Sequence, residues 1–227
     1  MKKLALLLCC LVLGLGSSWA GVTGTTNPAL FNDSVDWCAQ YGCTGGQLAT
    51  PQSWSSQAGN TGEVGLVGTL QGFYNLQQGT SWSGNFANGM GLIYNGAAFG
   101  NTPTSIATTF DVGVNGAGAW IQTDYIGPFT ATIELFDSSY QSLGTYTTTG
   151  LSTYNDPGNA LFIGAFGSAP VWAAQFTAVG IGPYEPDFAI GTLKLSTVPE
   201  PSSLLLLGSS ALGLAGVIRR RLSKGVL

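Results

Sequence analysis

The side chains that could do chemistry in the middle of this 227-residue chain are carboxylates, indoles and one pair of thiols. There is no histidine anywhere, and between Gly21 and Val198 Lys194 is the only basic residue. Ser–His and Cys–His nucleophile systems are therefore excluded. What remains open to an enzyme is a carboxylate pair of the glycosidase type, for example Glu134 or Asp137 with Asp124 or Asp111. Nothing in the spacing selects a pair, and solvated positions on strand faces and turns account for these acids more simply. No catalytic residue is assigned, and the chain reads as a non-enzyme.

Binding chemistry has more support. Trp37, Trp54, Trp82, Trp120 and Trp172, with eight tyrosines, sit among Asn, Gln, Thr and Ser, a mixture able to stack on sugar rings and to hydrogen-bond their hydroxyls. Trp120 and Trp172 lie inside apolar strand patterns and read as core. Trp54 and Trp82 stand in Gly/Ser/Asn surroundings and are the candidate carbohydrate-binding residues. Asp33, Asp36, Asp156 and Asp187 fall in loop-like stretches and could offer hard oxygen ligands to a structural Ca²⁺, although no EF-hand or repeat-type calcium loop is present. No other cofactor is implied.

Cys38 and Cys43 are the thiols left once an N-terminal leader is removed, and in an exported chain a local disulfide is the default for them. Two thiols without histidine are too few for a closed zinc site. One lysine against ten acids leaves residues 21–198 at −9, which removes the phosphate-neutralising charge that nucleic-acid binding needs.

The elements that must position these groups are strands. Short apolar runs separated by glycines recur at Glu63 to Leu70, Gly72 to Leu76, Met90 to Tyr94, Ile106 to Val112 and Trp120 to Tyr125. Phe129, Ala131, Ile133 and Leu135 then alternate with Thr130, Thr132 and Glu134, the pattern of a strand with one buried face. Asp137-Ser138-Ser139 makes a turn, and Leu143 to Thr148 returns as the partner of a hairpin. Ala160 to Phe166, apolar on both faces, predicts a central strand, and Val171 to Ile181 and Phe188 to Leu195 complete the set. Gly21 to about Gly62 reads as loops with one or two short strands. The expected fold class is all-β, an antiparallel two-sheet β-sandwich.

Both ends of the chain carry targeting signals. Lys2-Lys3, the apolar Leu4 to Leu15 and the small-x-small Ser18-Trp19-Ala20 make a secretory signal peptide cut after Ala20. At the other end Val198-Pro199-Glu200-Pro201 precedes the apolar run Leu204 to Ile218 and then Arg219-Arg220-Arg221. The arginines place the extreme C-terminus in the cytoplasm by the positive-inside rule. The expectation is a transmembrane-like C-terminal helix, inserted transiently, with a membrane-inserted precursor.

The order of this C-terminal stretch closely resembles the PEP-CTERM sorting signal of Gram-negative bacteria. Pro199, Glu200 and Pro201 match its motif, and Arg219, Arg220 and Arg221 match its basic end. The resemblance implies an exosortase as the processing partner and a cell surface, outer membrane or exopolysaccharide (biofilm) matrix as the destination. The strand order from Ala119 to Leu195 looks, more loosely, like the jelly-roll domains of such proteins, which are similar in layout to carbohydrate-binding modules. The resulting organisation is a signal peptide at 1–20, an exported β-sandwich at 21–197 and a sorting signal at 198–227. The expected role is structural or adhesive, without nucleic acid and with exopolysaccharide as a partner. The alternatives are a lectin-like module and a carboxylate-dependent glycan-acting enzyme.

Overall fold

The computed structural model describes residues 21–68, 72–96, 105–154, 156–180 and 187–197. Among them are twelve strands: β1 (Val22–Thr25), β2 (Asp33–Val35), β3 (Gln47–Leu48), β4 (Gln52–Ser55), β5 (Thr61–Leu66), β6 (Phe73–Gln77), β7 (Gly91–Tyr94), β8 (Ile106–Thr123), β9 (Gly127–Phe136), β10 (Ser142–Ser152), β11 (Leu161–Gly180) and β12 (Phe188–Ser196). The strand-to-strand ladders are antiparallel throughout.

Two long strands, β8 and β11, run through both layers of a sandwich. In one layer β10, β9 and residues 173–180 of β11 are followed by the start of β8, then β5 and β4. In the other, β1 and residues 161–167 of β11 are followed by the end of β8, then β12, β7, β6 and β3, with β2 also on β12. The passage between layers coincides with register shifts between Phe166 and Val171 and between Val171 and Ala173. Phe129, Ile133 and Leu135 from the first layer and Val35, Ile163 and Leu193 from the second share one core. Each such fully buried side chain contributes roughly 2 kcal/mol.

The β9–β10 hairpin follows its sequence pattern closely. Phe129, Ala131, Ile133 and Leu135 are buried while Thr130, Thr132 and Glu134 are half-exposed. Asp137 closes the turn by accepting hydrogen bonds from the backbone N–H of Ser139 (2.8 Å) and Gln141 (2.9 Å).

The long strands depart from the expectation of separate short ones. The stretch Gly113-Val114-Asn115-Gly116-Ala117-Gly118 reads as a break, yet β8 continues through it as an 18-residue strand. The reason is packing: a Cβ at Gly118 would meet the Phe162 ring at 2.6 Å, and one at Gly116 would meet the Ala165 carbonyl oxygen at 2.5 Å. These glycines let β11 lie close on β8 and are not turn residues.

The early loop region also holds a short helix, α1 (Trp37–Tyr41), which the sequence pattern does not announce. The Asp36 carboxylate accepts from the Cys38 N–H at 2.9 Å at its start, and Gly42, with φ +81°, ends it. The expected disulfide joins Cys38 to Cys43 across this helix. Trp37 is fully buried and donates its indole N–H to the Gly191 carbonyl at 2.8 Å, fastening the disulfide loop to β12.

One expectation is corrected. Among the described residues no helix is long and apolar enough to cross a membrane. The transmembrane-like C-terminal helix, insertion through it and the membrane-inserted precursor are therefore not supported. Fifteen residues of helix span only about 22 Å at ~1.5 Å each, short of a hydrocarbon core of about 30 Å. The Leu204 to Ile218 run, the six sorting residues and the N-terminal leader lie outside the described residues.

Candidate functional site

The structure brings together two acids that lie 63 positions apart in sequence, Asp124 just after β8 and Asp187 just before β12. Their strands are neighbours: Phe188 stands opposite Thr123, and Ala189 is flanked on its other side by Tyr94, the last residue of β7. Backbone bonds lock this rim, from Asp124 N–H to the Asp187 carbonyl (2.8 Å) and from Asn95 N–H to the Phe188 carbonyl (3.2 Å). The buried Asn95 amide oxygen accepts in return from Phe188 N–H at 2.9 Å.

Between the acids stands the Tyr94 hydroxyl, 2.9 Å from Asp187 Oδ2 and 3.3 Å from Asp124 Oδ2. One phenol carries one proton, so it can satisfy one of these oxygens fully at a time. Burial of the carboxyl raises the Asp124 pKa, the hydrogen bond from Tyr94 opposes that, and the like charge of Asp187 adds to it, leaving a net rise. Burial, followed by the charges of Asp124 and Asp187 and the bonds to both, pushes the Tyr94 hydroxyl far above its usual range. It remains a protonated donor. The cluster therefore presents acceptors to an incoming hydroxyl or amine and holds a carboxyl that takes up a proton more readily than usual.

Of the two candidate indoles, Trp82 touches the cluster and Trp54 lies at the other end of β8. The Trp82 ring packs edge-on against Tyr94 at 5.1 Å and is 6% exposed. Trp54 is 3% exposed, donates its indole N–H to Thr108 Oγ1 at 3.0 Å and packs edge-on against Phe110. Neither indole offers a face for stacking on a sugar, because each side chain turns inward from its polar neighbours to fill the core. The exposed aromatics at this rim are Tyr125 (52%) and Tyr154 (50%), beside Ile126. Ser152 Oγ donates to the Thr123 carbonyl at 2.7 Å, and Gln122 Nε2 to the Thr153 carbonyl at 3.1 Å, tying the two segments together.

The remaining candidates are dispersed. Asp33 is buried and accepts from the N–H of Ser34 (2.7 Å) and Ala58 (2.9 Å) and from Asn60 Nδ2 (2.7 Å). Asp36 caps α1, and Asp156 accepts from Asn159 Nδ2 at 2.6 Å. Among the described residues no three or more His, Cys, Asp or Glu side chains converge, so Asp33, Asp36, Asp156 and Asp187 form no common Ca²⁺ site there. Glu134 lies on β9 and Asp137 in the β9–β10 turn, and Asp111 is exposed on β8. Trp120 is half-buried with the Lys194 ammonium 6.0 Å from its ring centre, and Trp172 is also half-buried.

The PEP-CTERM protein-sorting motif matches residues 197–221, beginning one residue after β12 ends. The chain carries a PEP-CTERM sorting motif. That match covers the C-terminal stretch alone. No curated protein matches the chain.

Among solved structures, a DUF4465 family protein from Bacteroides caccae is similar at 13% identity and TM-score 0.37, over 81% of this chain and 96% of that one. The enzymatically active domain of bacteriophage CBA120 tailspike protein 4 is similar at 11% identity and TM-score 0.24, over 76% of this chain and 20% of that one. The C-terminal family 22 carbohydrate-binding module of Clostridium thermocellum Xyn10B is similar at 12% identity and TM-score 0.21, over 78% of this chain and 100% of that one. Likenesses at these scores carry no inference about this chain's ligand.

Proposed function

We propose that this PEP-CTERM chain is a non-enzymatic exported protein, delivered by an exosortase-type system to the cell surface or exopolysaccharide matrix, where it has a structural or adhesive role. The observation that carries this reading is the sorting motif at residues 197–221, set immediately after the last strand of the β domain. The non-enzymatic part draws support from composition, with no histidine in the chain to activate a serine or cysteine nucleophile. The test is substitution in a host with its own exosortase. Glu200→Gln, or Pro199→Ala with Pro201→Ala, should leave an exported protein that keeps its C-terminal tail, read as intact mass. Wild-type protein should lack the tail. Equal masses and equal locations for wild type and variants would sink the sorting reading.

A second reading, a lectin-like contact with polysaccharide, is favoured by two half-exposed tyrosines, Tyr125 next to Asp124 in the chain and Tyr154 on the segment bonded to Gln122 and Thr123. Saturable retention on the host's polysaccharide in affinity electrophoresis, weakened about tenfold by Tyr125→Ala with Tyr154→Ala, is its expected outcome. Retention unchanged by the pair, or absent in wild type, refutes it. Release of sugar from the polysaccharide, abolished by Asp124→Asn, would instead favour an enzyme.

A further inference from the structure

Strand edges are open templates for pairing, because each leaves a row of backbone donors and acceptors without partners. Among the described residues, β1, β2, β3 and β4 have a neighbouring strand on one side only and span just 4, 3, 2 and 4 residues, and the outer edge of β4 is bonded to the Gln40 and Tyr41 side chains. The remaining strand of the described residues with a neighbour on one side only is β10, and it is 11 residues long. Its sequence, Ser-Leu-Gly-Thr-Tyr-Thr-Thr-Thr-Gly-Leu-Ser, contains no charge and no proline, the devices that usually protect such an edge. Near its end, the Leu151 carbonyl accepts from Asn85 Nδ2 at 3.4 Å. A bulge between Ser142 and Gly144 interrupts its start. The regular open stretch is therefore residues 145–150.

That sequence reads almost the same in both directions about Thr147. Ser142 mirrors Ser152, Leu143 mirrors Leu151, Gly144 mirrors Gly150 and Thr145 mirrors Thr149; only Tyr146 and Thr148 differ. A two-fold axis through Thr147 would bring identical antiparallel strands together with Thr147 opposite Thr147 and Thr145 opposite Thr149. Thr145, Thr147 and Thr149 are the exposed residues of this stretch, so the pairs would lie on one face. Threonine pairs are favourable across antiparallel strands, and an isologous contact of this kind closes on itself. Charge points the same way. A domain at −9 repels its own copies, and β10 is a strip from which all of that charge has been kept away.

We infer that β10 is a self-association edge, joining two copies of this chain by antiparallel β10–β10 pairing centred on Thr147. The occupant is a second copy because the strand is complementary to itself. The inference stands apart from the sorting reading: dimerisation can fail while tail processing is normal, and the reverse.

The test is sedimentation of the exported protein, purified after removal of its leader and so without Cys9 and Cys10, across a concentration series, combined with crosslinking through one introduced cysteine under mild oxidation. Wild type should show a concentration-dependent dimer. Thr147→Lys, which sets two ammonium groups against each other, should raise the half-association concentration about tenfold with an unchanged circular dichroism spectrum. Thr147→Cys should yield a crosslinked dimer whose linked peptide contains position 147. Thr145→Cys alone should not, since its two copies would stand about 13 Å apart along the strands, beyond the roughly 7 Å a disulfide tolerates. A wild type that is monomeric throughout, a dimer untouched by Thr147→Lys, or equal crosslinking at 145 and 147 would overturn the inference.

Discussion

Asp33 and Asp124 are the same functional group in two opposite settings. Asp33 is buried, which raises its pKa. Hydrogen bonds from Ser56, the Ala58 backbone, Asn60 and the Ser34 backbone more than reverse that, and the carboxyl ends below its ordinary range. Partial burial also raises the Asp124 carboxyl, the one phenolic hydrogen bond it shares with Asp187 does not offset this, and the charge of Asp187 adds to it, so it ends above that range. The balance of donors against desolvation and neighbouring charge decides the direction. A carboxylate saturated with donors is a structural bolt, here joining β2 to the β4–β5 turn. One that is short of donors is available to a ligand or a proton.

The strongest way to break this comparison is to remove the saturated acid. Asp33→Ala strands the N–H groups of Ser34 and Ala58 and the Asn60 amide, and should cost on the order of 2–3 kcal/mol, read by urea or thermal unfolding. A loss below about 0.5 kcal/mol would mean that water replaces the carboxylate at no cost. The depressed pKa also fixes the pH window. The Asp33 contribution is fully present above the ordinary carboxylate value of about 4 and is lost as pH falls through its lowered value.

Asp124 should do the reverse on a smaller scale. With a raised pKa, its contribution is present below the ordinary value and disappears as pH rises through the raised one. The carboxyl is partly shielded but the residue as a whole stands at the solvent edge, so screening holds the effect to about 0.5 kcal/mol or less. The stability difference between wild type and Asp124→Asn should therefore change in sign or size across mildly acidic pH. A difference that is flat from about pH 3 to pH 7 would contradict the donor-counting account.

Local patterns in the sequence made some parts of the molecule legible. The β9–β10 hairpin is written in strict alternation and an Asx turn, and the disulfide in two cysteines five positions apart in an exported chain. The long strands were not legible, because glycines that serve close packing against Phe162 and Ala165 look like turn glycines. Trp54 and Trp82 sit in loop-like sequence but point into the core, and nothing local to either reveals which way an indole faces. The site was the least legible part. In the sequence Asp124 reads as half of a catalytic pair and Asp187 as a metal ligand, but their meeting over Tyr94 depends on β7, β12 and β8 being adjacent. The only available signal was that each acid lies at the end of an apolar strand.

The position of β12 has a mechanical consequence. It lies inside its layer, bonded to β8 along one side and to β7 and β2 along the other. A pull on the C-terminal end of the domain enters the fold through this strand and runs along its axis. The ladder bonds lie across that axis, so they are loaded together in shear and do not peel one at a time. Force applied at that end is therefore shared among many backbone bonds at once.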